Sequence, residues 1–544
     1  MNSILCLSYN DLPTNLKTCL LYLSIFPEDY VIERERLVRR WIAEGFICEE
    51  RGLSKQEVAE NNFYELINKS MVQPVDVGYD GKARACQVHD MMLELIISKS
   101  IEDNFISLVG HGQTDLVNRD GPIRRLSVQH IDRELMSVLE NQDLSHVRSL
   151  TVITSSCIKH LFAKFETLRV LDFEDCDNLQ EYDMNGIDKL FQLKYLNLRN
   201  TYISELPSGI VRLYDLETLD LRDNFIEELP SRIVQLTKLQ YLLVRRGYLS
   251  SRTKIPDGIA NMNNLRVITG FNITNSSLGA VEELGNLTNL AVLHLQLDGS
   301  GSEKYKRHEE MLLSSLCKLG TCKLQSFWIS SEYSTPLQFL DSWSPLPSCL
   351  RRFDMSTSYY LTKMPKWIAP ALASLAYLNI NLVKATEEDL GILGQMPALI
   401  SLLLTFRTNQ EERLTIRGHG FPCLKELYIY DGHGAANLLF EEGALPKLEK
   451  LNQPFVVPWA KSYGFYLGIG HLPCLKHATI SLRNDGDASS SENRAAAAAI
   501  RNEANAHSNH PRLIIYGEME ENEEENDTSE EEFEKENDTN EEES

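Results

Sequence analysis

Residues 193–210, LKYLNLRNTYISELPSGI, return as 216–233, LETLDLRDNFIEELPSRI, and in worn form as 239–259, LQYLLVRRGYLSSRTKIPDGI. Leu193, Leu196 and Leu198 recur as Leu216, Leu219 and Leu221, then as Leu239, Leu242 and Val244, each set 23 residues after the last. Every copy closes on a Pro-x-x-Ile turn that leads the chain away from a short strand. A unit this short cannot bury its own apolar edge and must stack on its neighbours, so L-x-x-L-x-L at this period marks a leucine-rich-repeat solenoid. In such a strand the leucines point into the core, and the residues between them face the concave surface that these arrays use for binding.

The series extends in both directions. Ile123/Leu126/Val128, Val147/Leu150/Val152 and Leu168/Leu171/Phe173 precede the clear copies. After them come Leu265/Ile268, Leu290/Leu293/Leu295, Leu324/Phe327/Ile329, Leu350/Phe353/Met355, Leu375/Leu378/Ile380, Leu399/Leu402/Leu404, Leu424/Leu427/Ile429, Leu448/Leu451 and Leu475/Ala478/Ile480. In the widest gap, Met311, Leu312, Leu316 and Leu319 fall at helical spacing and predict a convex-side helix. Ala495–Ile500 predicts a short helix, and HPRLIIYG (510–517) a last strand that caps the array.

Before the repeats the period changes. Leu16, Leu20 and Leu23 predict a first helix that ends at Phe26-Pro27, because a residue before proline leaves the α region. Leu37, Val38, Trp41 and Ile42 predict a second, stopped by Gly45. Ser54-x-x-Glu57 is a capping box ahead of a third, on Ala59, Phe63, Leu66 and Ile67. Two β-prone runs around Tyr79-Asp80-Gly81 then predict a hairpin, and a helix starts at His89. Three helices and a hairpin describe a winged-helix unit. Glu57, Glu60 and Glu65 on the third helix argue against DNA as its partner, since phosphates would repel them.

SYNDLPTNLKTCLLYLSIFPEDYVI (8–32), LVRRWIAEGFI (37–47) and QVHDMMLELI (87–96) resemble the winged-helix part of plant nucleotide-binding leucine-rich-repeat immune receptors. The motif match runs through Cys19, Tyr22, Phe26, Pro27, Asp29 and Tyr30, and the family's Met-His-Asp triplet stands as Val88-His89-Asp90. The resemblance implies that His89 senses the diphosphate of ADP and that Asp90 holds the inactive arrangement. The residues themselves also allow a plain helix cap at that place. No G-x-x-x-x-G-K-[ST] phosphate loop is present, so ADP or ATP is expected only if a nucleotide-binding domain accompanies the chain.

The net charge of −24 is unevenly placed: residues 518–544 hold 16 acids and one Lys, leaving −9 for the rest. That tail, almost free of apolar residues, is expected to be disordered. No basic stripe suits nucleic acid. Eleven cysteines without a C-x-x-C pair support neither zinc nor a disulfide framework, and no run of 18 apolar residues exists to span a membrane. The thirteen histidines form no H-E-x-x-H, and no G-x-S-x-G elbow is present, so no catalytic or metal site is expected and an enzyme is improbable.

Recognition sites are expected on the concave face. Asn197 and Asp220 occupy it, and Arg199, Arg222 and Arg245 recur at equivalent places as a basic ridge suited to an acidic partner, or to an acidic face of another domain of the same receptor. Trp328, Tyr428 and Tyr430 make an aromatic candidate, because exposed aromatics are common interface anchors. The expected whole is an α/β leucine-rich-repeat solenoid, a curved horseshoe over 111–517, preceded by a small winged-helix domain over 1–110 and followed by the acidic tail. Its expected role is that of a cytoplasmic plant innate immune receptor, or fragment of one, binding a pathogen effector, a host protein or signalling domains of a full-length receptor. Two other readings stay open: an ADP/ATP-switched signalling NTPase whose N-terminal half is missing, and a general protein-binding scaffold.

Overall fold

The computed structural model describes residues 2–517 apart from 111–112, 115–120, 131–132, 154–161, 177–178, 180–183, 246–251, 299–302, 332–336, 358–359, 409–412, 431–436 and 485–488. The expected disorder of 518–544 lies outside the described residues. By packing, the chain forms two compact units that meet in sequence at Phe271/Asn272, inside the repeat series rather than at its start.

The first unit opens with helices α1 (Asn2–Asn10) and α2 (Thr14–Leu21), strand β1 (Ile32–Glu33), helices α3 (Arg34–Glu44) and α4 (Lys55–Asn68), strands β2 (Gln73–Val77) and β3 (Ala83–Gln87), and helix α5 (Asp90–Glu102). Helix α2 runs into a 3₁₀ turn over Tyr22–Ile25 and stops at extended Phe26, as the following proline requires. Gly45 ends α3 in the left-handed conformation at φ 85°. The box at Ser54 and Glu57 forms in both directions, side chain to backbone each way. The hairpin β2/β3 is antiparallel, and β1 adds a third strand to it. Leu16, Leu20, Tyr22, Trp41 and Phe63 are fully buried at its core.

The sheet of repeats starts earlier than the leucine pattern does. Strand β4 (Ser107–Gly110) forms an antiparallel pair with β5 (Gln113–Thr114) and pairs in parallel with β6 (Arg125–Val128). Then come helix α6 (Arg133–Asn141) and strands β7 (Ser149–Val152), β8 (Val170–Asp172), β9 (Tyr195–Asn197), β10 (Thr218–Asp220), β11 (Tyr241–Leu243) and β12 (Val267–Asn272). From β6 to β12 every neighbour is parallel and in the register that the repeats predict. Leu193, Leu196 and Leu198 with their counterparts are buried, and burial of each full leucine side chain contributes about 2 kcal/mol.

The second unit carries its own parallel sheet: β13 (Val292–Gln296), β14 (Ser326–Ser331), β15 (Arg352–Thr357), β16 (Tyr377–Leu382), β17 (Ser401–Phe406), β19 (Glu426–Tyr430), β21 (Lys450–Val456), β22 (His477–Arg483) and β23 (Arg512–Tyr516). A separate parallel pair joins β18 (Leu414–Ile416) to β20 (Leu438–Phe440). Its helices are α7 (Leu278–Glu283), α8 (Glu303–Gly320), α9 (Glu387–Gly394), α10 (Val457–Ala460) and α11 (Ser490–Ala506). Helix α8 carries the predicted Leu312/Leu316/Leu319 stripe, fully buried. Helix α11 is longer than its alanine run suggests, because a capping box at Ser489 and Glu492 starts it early.

One backbone position in the first unit allows no side chain. Gly270 sits at φ 85° in β12, and a Cβ built on it would lie 2.3 Å from the backbone N and Cα of Arg245. Gly270→Ala is therefore expected to cost about 2 kcal/mol or more and to lower the melting temperature of the full chain; an unchanged melt would show that the two strands part freely there.

Candidate functional site

Helix α3 has two different faces. Leu37, Val38 and Trp41 enter the winged-helix core, while Arg36, Arg40, Ala43 and Glu44 fall on the other side at helical spacing. That second side meets the inner face of β6 to β10. Ala43 packs on Val170 and Tyr195. Ser127 Oγ donates to the Ile25 carbonyl at 2.6 Å, and Tyr22 Oη lies 3.2 Å from Ser149 Oγ.

The contact is dominated by charge. Asp172 on β8 takes Arg40 Nη1 at 2.6 Å and Arg36 Nη2 at 2.9 Å, and its own side chain is fully buried. Arg40, also fully buried, donates to Thr151 Oγ1 at 2.5 Å and to Tyr22 Oη at 3.1 Å. Arg36 reaches Glu174 at 2.9 Å and lies against the rings of Phe26 and Tyr30. Asn197 Nδ2 donates to Asp172 at 3.0 Å and to Glu174 at 2.8 Å, so the two acids are spaced by an amide. At the flanks, Arg125 pairs with Glu44 at 3.1 Å between Phe46 and Phe105, and Arg39 lies 4.4 Å over the Tyr241 ring.

The expected basic ridge is changed by this contact. Arg199 and Arg222 both bind Glu33, which leads into α3; Arg222 reaches it at 3.2 Å and also holds Asp220 at 2.8 Å. Arg199 further pairs with Asp223 at 2.9 Å. Two of the three ridge arginines thus receive an acid of the same chain, and Asn197 and Asp220 are buried beneath it. Arg245 is partly buried one strand further on, against the Gly270 backbone.

The aromatic candidates lie in the other unit. Trp328 is not an exposed anchor: it is 9 % exposed and packs edge-on against His294 of the preceding strand at 4.8 Å. Tyr428 and Tyr430 stack at 6.1 Å with rings 10° apart and stay half-buried. His89 caps α5 without a side-chain cap bond, and it and Asp90 are exposed. Among the described residues no His/Cys/Asp/Glu cluster could hold a metal ion, and no helix is long and apolar enough to cross a membrane.

Burial sets the ionisation here. It pushes the Glu174 carboxyl up to about 7, with Arg36 and Arg199 pulling the other way. Burial also opposes the Glu33 anion, but Arg222, Arg199 and Arg36 outweigh it and hold that carboxyl well below its ordinary range. Glu174 therefore contributes stability that is complete below 4.5 and lost as pH rises through about 7; Glu33 does the opposite, contributing stability that is complete above 4.5 and lost as pH falls into the acid range. Glu174→Gln should flatten the fall in melting temperature between about pH 5 and about pH 8, and equal slopes in both proteins would sink this assignment. Asp172→Asn leaves Arg36 and Arg40 buried without their shared anion, so denaturant melts should show a loss of about 3–5 kcal/mol. A loss below about 1 kcal/mol would mean that water already relieves the pair.

The arginines of α3 are what sequence reasoning missed. Arg36 and Arg40, one helical turn apart beside an apolar stripe, were the available signal.

Known proteins match both parts of this arrangement. The leucine-rich repeat region family matches residues 146–513, and the disease resistance protein winged helix domain matches 25–96. Disease resistance protein Pik-2 of Oryza sativa subsp. japonica is 33% identical over 540 residues, covering 89% of this chain and 51% of its own. PIK6-NP of the same organism is 37% identical over 452 residues (76% and 42%), and RGA5 30% over 510 (92% and 45%). Among solved structures, a leucine-rich-repeat protein of Leptospira interrogans, LIC12759, aligns with 77% of this chain and 98% of its own at 16% identity and a TM-score of 0.41. The chain spans about half the length of the curated relatives it matches. It belongs to the plant disease resistance proteins that carry a winged-helix domain followed by leucine-rich repeats.

Proposed function

We propose that the chain serves plant defence by non-covalent recognition of a protein through its repeats, the recognised partner being a pathogen effector or a host protein that an effector alters. The observation that carries this reading is the charged dock. Repeats that would otherwise offer Asn197, Arg199, Asp220 and Arg222 to an outside partner hold the winged helix instead. A partner that engaged those same repeats would act directly on the winged-helix domain. The later repeats, with Tyr428 and Tyr430 on the inner face, are the recognition surface in this reading.

His89 and Asp90, exposed at the start of α5, face ADP or ATP only when a nucleotide-binding module accompanies the chain. Catalysis by the chain itself has no part in this scheme, and the site of action is the cytoplasm. Arg199 and Arg222 keep a role as contacts to the receptor's own domain rather than to a foreign one.

Removing the gene from its plant and challenging the plant with a panel of pathogen isolates should raise the growth of at least one isolate severalfold. The wild-type gene should restore resistance, and Tyr428→Ala/Tyr430→Ala should not. Unchanged growth across the whole panel overturns the reading.

A further inference from the structure

Two aromatic side chains of the first unit stand in water at equivalent places in successive repeats. Tyr202 is 53 % exposed and Phe225 43 %, and their rings stack at 6.1 Å, 29° apart. Both follow the strand ends at Asn197 and Asp220, on loops rather than on the inner face that α3 covers. Their backbone is held firmly. Asn224 Oδ1 accepts from the amides of Thr201 and Ile203, its Nδ2 donates to the Leu198 and Leu221 carbonyls, and the Phe225 amide donates to Ile203 at 2.9 Å. Tyr202 itself has φ 58°, a left-handed conformation that suits Asn or Gly and is costly for a ring-bearing residue. A large apolar side chain kept exposed and at a strained position is poorly explained by stability.

Exposed acids flank the pair in sequence. Glu205 follows Tyr202 by three residues, Glu227 and Glu228 follow Phe225, and Asp175 is exposed on the preceding repeat. The cations nearby are committed to weak exposed pairs, Arg252 with Glu227 at 3.4 Å and Lys254 with Glu228 at 3.3 Å. Phosphate would be repelled, and a wholly apolar partner would have to strip water from the carboxylates.

We propose that Tyr202 and Phe225 form an aromatic ledge that takes an arginine-bearing segment of a partner protein. A guanidinium is flat, weakly hydrated and forked, so it lies on a ring face while its edge binds a carboxylate. An ammonium has the charge without the plane. Because the ledge is already fixed by the Asn224 bonds, little ordering is lost on binding. The inference rests on the reading of the repeats as a protein-recognition surface, and it adds the chemistry of one contact.

The test uses the full chain and two fluorescein-labelled peptides of equal length, one with five arginines spaced by glycine and the other with lysines in their place. Anisotropy titration should show the arginine peptide binding the wild type about tenfold more tightly than the lysine peptide. Tyr202→Ala/Phe225→Ala should bring the two within about twofold with an unchanged melting temperature, while Tyr202→Phe/Phe225→Tyr should keep the preference. The acidic residues 518–544 are common to all three proteins and cancel in the comparison. Equal binding of both peptides by the wild type, or a preference that survives the alanine pair, overturns the ledge. Neither outcome touches the pathogen-growth test, so the two readings fail separately.

Discussion

The carboxylate of Asp172 is fully buried and shared by two guanidiniums, and the first unit is arranged around that fact. Each of the three ions would be strongly disfavoured alone in such a place, where desolvation costs several kcal/mol per charge. Together, with Asn197, Thr151 and Tyr22 filling the remaining positions, they are tolerated only in one geometry. Apolar packing of Ala43 on Val170 and Tyr195 brings α3 near the sheet, but it would permit sliding. The ions forbid it. What the network supplies is therefore position more than net stability.

That distinction bears on how the proposed recognition would act on the first unit. A greasy interface responds weakly to a distant disturbance, whereas a charge network that loses one partner is left with a buried uncompensated ion. Glu33 gives the network its reach, since it stands at the junction of β1 and α3 and binds two successive repeats at once. A small displacement of β9 against β10 would be felt at the start of α3. The ledge lies on the loops that leave those same two strands.

Much of this was legible in the sequence, and the failures have a common cause. The leucine frame, the Ser54 box, the Gly45 stop and the hairpin depend on residues within one turn or one repeat of each other, so local periodicity reveals them. Strand β4 was missed because SLVG carries no leucine triplet. Trp328 was read as exposed because alternation places it on the inner face; burial there depends on His294, a residue 34 positions earlier. The arginine ridge was correctly in register, yet its meaning depended on Glu33, separated from Arg222 by 189 residues. A charged residue in isolation looks like solvated surface. Only the fold tells which charges are facing one another.

That separation also sets an order of events on the ribosome. The winged helix has its own apolar core by Leu108 and can collapse early, but the anions and cations that α3 requires are made with β8, β9 and β10. At about 5–20 residues per second, the interval between Glu33 and Arg222 is roughly ten to forty seconds. Until Asp172 follows, 136 and 132 residues after them, a nascent chain presents Arg36 and Arg40 without their shared acid. The dock is thus completed only once β10, in the second clear repeat, has emerged, and until then the chain is least protected from chance acidic partners.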